Sequence, residues 1–309
     1  MYWQTKAKIM KVCVLLPAGG RIYKFIQKTF GRLKANPMSR IPAQVEMARW
    51  ILDMDGKVEG KTFFEVGTGH NPIVPIGFFL SGAKKVITVD LHKRLDFGIL
   101  EKSLVWMSEN RNDIWEYYEG VAERAVFDER MDLIDRLKEM PEKFLPEANL
   151  QYLAPADAAN IGLPDASIDY HISTTVFEHI PGRNIKRILK EAKRILKKDG
   201  VAIHFIDLSD HFQHQDKSIT SINFLRYSDE EWDKIAGNQF AYCNRLRVSD
   251  YLELFEEAGF DVCRKEAVVD DEARENMRRG FVVDERFRDY SVDDLSTTRL
   301  RVALKAEEK

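Results

Sequence analysis

Glu65-Val66-Gly67-Thr68-Gly69 sets an acid just ahead of a glycine pair at the end of a predicted strand. Gly67 and Gly69 have no β-carbon, so the chain can turn sharply there and bring backbone close to a ligand. Asp90 closes the next predicted strand, where a carboxylate can accept both hydroxyls of a ribose. A glycine turn after a strand, with an acid ending the next one, is the pattern of a nucleotide-type cofactor site. A dinucleotide fingerprint would need glycine at 72, where Pro72 stands and removes a backbone donor. Glu65 would also face a pyrophosphate with like charge. It suits a cofactor carrying an amine and a sulfonium.

His204, Asp207, Asp210, His211, His214 and Asp216 form a second concentration of titratable groups. His211 and His214 are three apart and share a face on a helical turn. Either could take a proton from an acceptor hydroxyl. His179 is a third candidate base, with a structural or cofactor-side role favoured for it. A divalent metal held by carboxylate and imidazole is the less favoured reading, because no spacing is diagnostic. Arg226, Tyr227, Asn244, Arg245 and Arg247 make a third group. Its guanidinium groups could grip a phosphate or carboxylate of the acceptor, or could pair with neighbouring carboxylates.

Periodicity supplies the elements that position these groups. Apolar spacing predicts helices over 4–16 and 22–33 and a third opened by Pro42. From Lys61 the pattern changes to strand 62–66, glycine turn, helix 73–80 and strand 85–90. Residues 95–143 read as helical. Strands are predicted at 150–153, 167–173, 201–206, 260–268 and 297–305, with helices 184–196 and 249–258 and a turn at 198–200. Residues 211–247 read as polar, aromatic and poorly periodic, an inserted segment on the substrate side. The expected fold is α/β, Rossmann-like and doubly wound, with a mostly parallel seven-stranded sheet. A helical extension, 1–60, precedes a domain of 61–309 that carries an insertion at about 208–247.

These motifs resemble those of the class I S-adenosylmethionine-dependent methyltransferases, over roughly 61–207. Glu65, Gly67, Thr68 and Gly69 match the first motif of that family, with Asn71 at the usual third glycine. The eight residues from Glu65 to Pro72 also look like a bacterial subgroup associated with glycan or secondary-metabolite assembly. The resemblance implies that Asp90 and Leu91 meet the ribose, that Asp157 and Ala158 meet the adenine, and that Thr174 lines the cofactor site after the fourth strand. It implies S-adenosylmethionine as cofactor. The segment Thr174-Thr175-Val176-Phe177-Glu178-His179-Ile180 is similar to the family's loop after that strand.

Composition narrows the acceptor little. The 309-residue chain has nine basic residues and no acidic one before Glu46. The net −3 of the chain less the arm's +9 leaves −12 for the remainder. A basic arm fits an anionic acceptor or peripheral contact with an anionic membrane surface, or docking on the acidic body. The arm lacks a recognisable nucleic-acid reader and the acidic body opposes DNA. Three scattered cysteines make no disulfide framework, and a cytoplasmic location is expected. The N-terminal helices could form a lid, a homodimer surface or a structural cap. The expected activity is methylation of a small molecule or glycan precursor, with O-methylation favoured. Alternatives are N- or C-methylation of a metabolite, or a non-catalytic scaffold that binds the cofactor.

Overall fold

The computed structural model describes residues 2–17, 19, 20, 22 and 33–307. The helix expected over 22–33 lies almost wholly outside the described residues. Seven strands form one sheet: β1 (Thr62–Val66), β2 (Lys85–Val89), β3 (Leu150–Leu153), β4 (Ile168–Thr174), β5 (Leu196–Asp207), β6 (Phe260–Val269) and β7 (Thr297–Ala306). Their order is β3-β2-β1-β4-β5-β7-β6. β1 pairs in parallel with β2 and β4, β2 pairs in parallel with β3, and β6 and β7 are antiparallel. This is the expected Rossmann-like, mostly parallel sheet.

Two compact units make up the chain. One comprises Leu33–Thr174 and Lys190–Ile203; the other comprises Met1–Arg32, Thr175–Leu189 and His204–Lys309. The boundary between these units at 32/33 falls within the expected 1–60 extension.

In the first unit, β4 is buried along its whole length. The helix Ile73–Leu80 is apolar at every position but Gly77 and buried at all eight, as a helix without a polar face must be. Phe63 stacks on Phe78 at 4.2 Å and on Tyr170 at 4.8 Å. Helices Phe97–Glu109, Arg111–Tyr118, Arg124–Leu137 and Pro141–Glu147 fill the stretch between β2 and β3, as the periodicity of 95–143 predicts.

The second unit differs most from expectation. Its segment 211–247 is more apolar in its packing than its polar composition suggests: Phe212, Ile222, Phe224, Leu225, Trp232 and Ala236 are buried in one apolar cluster. It also contains the helix Asp229–Ala236, capped at Ser228 by a reciprocal Ser228–Glu231 capping box. The apolar residues there are irregularly spaced because loops, not one helix, carry them. The helix Trp3–Leu15 adds Trp3, Ala7 and Met10 to the same cluster, and the Trp3 backbone N–H donates to Asp216 at 2.8 Å. The start of the arm thus caps the second unit. Two smaller differences concern strand and helix ends. Residues 198–200 continue β5 instead of turning. The helix Val248–Glu257 starts at Arg247, so Ser249 lies within its first turn rather than capping it.

Candidate functional site

The first unit carries the cofactor motif at the ends of β1 and β2. Gly67 and Gly69 both take positive φ, 87° and 69°, a conformation that strains any residue with a β-carbon. A β-carbon added at Gly69 would meet nothing within 4 Å, so open space lies over this turn. Hydroxyls run in a chain toward Glu65. Thr88 Oγ1 donates to Glu65 Oε2 at 2.5 Å. Having used its proton there, it accepts from Thr68 Oγ1 at 2.5 Å. Burial pushes the Glu65 carboxyl up to about 8 against the pull of Thr88, and Asp90 adds to the rise. Asp90 accepts from the Gly69 N–H at 3.1 and 3.3 Å and from the Tyr152 hydroxyl at 3.1 Å. Burial raises it to about 6, and those donors hold it lower than burial alone would.

Other expected cofactor residues sit as follows. Asp157 is exposed and its carboxylate accepts from the Ala159 N–H at 2.9 Å; Ala158 is buried beside it. Leu91 is 63% exposed. Thr174, in the first unit at the end of β4, is buried, and its Oγ1 has no hydrogen-bond partner among the described residues. Asn71 stands where the third glycine would be and donates to Ser103 Oγ at 2.7 Å; it ties the turn to the helix Phe97–Glu109. A buried acid, a glycine turn and a donor-held carboxylate one strand over fit S-adenosylmethionine: a cation at Glu65, a ribose at Asp90.

The second unit gathers the histidines. At the end of β5, Asp207 accepts from the Ser209 N–H at 2.9 Å and from its hydroxyl at 2.6 Å. Since that hydroxyl donates to Asp207, its oxygen accepts from His214 Nε2 at 3.0 Å, and the basic lone pair of His214 is then on Nδ1. The other Asp207 oxygen lies 3.5 Å from His211 Nε2 and 3.6 Å from His214 Nε2. Burial opposes ionisation of Asp207, yet His211 and Ser209 hold it down to about 2. Burial also opposes the charge on His211, but Asp207, then Glu178 and Asp210, raise it. His214 goes the other way: burial lowers it despite Asp207. The two imidazoles stack at 5.1 Å, and His179 meets His211 edge-on at 4.9 Å.

Glu178 and His179 lie in the loop after β4, which the sequence reading marked for His179 alone. Asn244 holds this loop. Its backbone N–H donates to the Glu178 carbonyl at 2.8 Å, and its side-chain amide donates to the Phe177 and Ile180 carbonyls, each at 2.8 Å. His179 Nδ1 donates to the Tyr242 carbonyl at 2.9 Å. Asn244 is thus bound to the loop rather than presented to an acceptor. The arginine clamp is corrected too. Arg247, fully buried, donates to the Leu208 and Thr297 carbonyls. Arg245 is 2% exposed, donates to the Phe224 and Tyr227 carbonyls and pairs with Asp229 at 2.5 Å. Both guanidinium groups are consumed in holding loops together. Arg226 is exposed, over the Phe281 ring at 4.4 Å; Tyr227 packs between Trp3 and Trp232.

Thr88, Tyr152, Ser209 and Glu178 escaped the sequence reading of the site. Each is a common residue type with no diagnostic spacing; only the Glu178-His179 pair directly after a strand offered a signal.

No helix among the described residues is long and apolar enough to cross a membrane. No curated protein matches the chain. Solved structures that resemble it include Haemonchus contortus phosphoethanolamine N-methyltransferase 2, 16% identical over 85% of this chain and 53% of that one, with a TM-score of 0.47. A geranyl diphosphate methyltransferase in complex with S-adenosylmethionine is 12% identical, covering 85% of each chain, with a TM-score of 0.46. The [4+2]-cyclase SpnF is 12% identical over 86% of this chain and 82% of that one, also at 0.46. A family model described as a methyltransferase domain matches residues 117–204, from the end of the helix Arg111–Tyr118 through β3, β4 and most of β5. The chain thus carries a stretch that matches a methyltransferase domain, on a sheet of Rossmann-like order, and its Glu65–Asp90 cradle suits S-adenosylmethionine as cofactor.

Proposed function

We propose that this methyltransferase modifies a hydroxyl of a small molecule or glycan precursor, and that His214 takes the proton. The observation that carries this reading is the Asp207–Ser209–His214 relay at the end of β5. An alcohol is a poor nucleophile until its proton is removed, whereas an amine or thiolate may need only positioning. When bound, S-adenosylmethionine supplies the sulfonium methyl. Glu65 holds its cationic end and Asp90 its ribose hydroxyls, while Asp157, Ala158 and Thr174 complete the cofactor side. Asp207 keeps its charge and steadies the imidazolium that forms on His214. His211 stays with Asp207 as a charge partner, and Tyr227 offers the half-buried aromatic wall for the acceptor.

The test supplies tritiated S-adenosylmethionine and a panel of sugar, phenol and amine acceptors. Label should enter a hydroxyl-bearing acceptor and be lost when His214 is replaced by Ala. Methyl transfer that persists in the His211→Ala/His214→Ala double variant, with normal S-adenosylhomocysteine binding, would sink the assignment. Label found only on amines would favour N-methylation instead.

A further inference from the structure

Glu178 poses a problem that the relay does not solve. The residue is 1% exposed, and neither carboxyl oxygen accepts a hydrogen bond from a side chain among the described residues; only backbone at Glu178 itself and at Asp207 faces it. A buried carboxyl without side-chain donors is costly to keep. Folded proteins rarely keep such a group unless something else completes it. Two imidazoles stand beside it: one ligand atom each from Glu178, His179 and His211 all lie within 4.8 Å of one another. The His211 Nε2 is buried as well, with the Asp207 carboxylate 3.5 Å away.

We propose that Glu178, His179 and His211 form a binding site for a divalent first-row transition ion. One carboxylate and two imidazoles are a ligand set for Zn²⁺, Mn²⁺, Fe²⁺ or Co²⁺ rather than for Mg²⁺, which favours oxygen and water. The tautomer of His179 agrees: its Nδ1–H is given to the Tyr242 carbonyl, so Nε2 is the ligand atom. A metal-bound imidazole commonly gives its other N–H to such a carbonyl. Asn244 serves the same end, since its bonds to the Phe177, Glu178 and Ile180 carbonyls fix the loop that carries two of the three ligands. Three protein ligands leave coordination positions for an oxygen donor, such as an acceptor hydroxyl. The site adjoins the proton relay, since His211 also faces Asp207 and stacks on His214; an ion there would take the place of the proton that His211 otherwise shares with Asp207, and its binding does not depend on which acceptor atom is methylated.

The experiment uses the full chain stripped with chelator and titrated with Co²⁺, whose visible absorption reports coordination, and then with Zn²⁺ in competition. The expected result is one Co²⁺ per chain, displaced by Zn²⁺. Affinity should fall at least about 10-fold in Glu178→Gln and in His211→Ala. The exposed His92→Ala should bind as the parent does. S-Adenosylhomocysteine affinity, measured on every variant, shows that each is folded and keeps the methyltransferase reading apart. Absence of a Co²⁺ spectrum in a parent protein that binds S-adenosylhomocysteine overturns the site, as does unchanged affinity in both ligand variants. A spectrum that survives those two variants but is lost in His92→Ala would place the ion elsewhere and overturn it equally.

Discussion

Two buried glutamates divide the molecule's chemistry between its two units. Burial pushes both Glu65 and Glu178 up to about 8. Glu65 receives a hydroxyl from Thr88, which is itself supported by Thr68. Glu178 receives no side-chain hydrogen bond among the described residues and has imidazoles for neighbours. The first carboxyl already has its donor in place and, in the proposed function, meets the cationic end of the cofactor. The second has been desolvated without being satisfied, which makes it the less self-sufficient of the two. The lesson is that a buried acid is informative through its partners: donors already in place mark a prepared cradle, and missing donors mark a place for something external.

Experiments that separate the two regions sharpen this contrast. The largest effect is expected at the relay. His214→Ala should lower the rate of S-adenosylhomocysteine formation by on the order of 10²- to 10⁴-fold, with cofactor affinity unchanged by calorimetry. A matching loss of cofactor affinity would mean that the regions are not distinct. Asp90→Ala should do the converse. Losing hydrogen bonds to a charged group, worth about 1.5–3 kcal/mol, weakens S-adenosylhomocysteine binding about 10- to 100-fold. Binding that survives this change would remove Asp90 from the cradle.

Smaller effects probe the scaffolding. Arg247→Met leaves the Leu208 and Thr297 carbonyls without their donor, so stability should drop by about 1–3 kcal/mol in denaturant melts. The KM for any acceptor found in the panel should stay put; a large rise would restore the clamp reading that burial now opposes. The smallest effect concerns pH. The folded pKa of Glu65 lies above its ordinary 4.5, at about 8. The folded state binds that proton more tightly, so its contribution is full below pH 4.5 and declines as pH rises toward 8. Glu65→Gln should flatten that decline in melting temperature between pH 5 and pH 8, and an unaltered slope would show that Glu65 does not titrate there.

Much of the cofactor half was legible because its signals are local. A strand, a glycine turn and an acid at the next strand end lie within a short run of chain, and period-two and period-3.6 patterns bound them closely. The strand 62–66 and the helix 73–80 were read to the residue. The other half was misread where distance along the chain mattered. Asn244 acts on Phe177 and Ile180, more than 60 residues away. Arg247 reaches Leu208 and Thr297. A basic residue in a polar stretch looks the same in sequence whether it faces solvent or crosses a core.

By itself, the sequence determined the α/β fold and the class of cofactor and pointed to the residues proposed to cradle it, because backbone geometry and periodicity are properties of neighbouring residues. It also brought His211 and His214 onto one turn. Only the tertiary structure decided that Ser209 orients His214, that Arg245 and Arg247 serve as internal struts, and that Glu178 meets His179 and His211. Those outcomes depend on which distant segments exclude water from the same place, and burial of that kind leaves no local pattern in the chain.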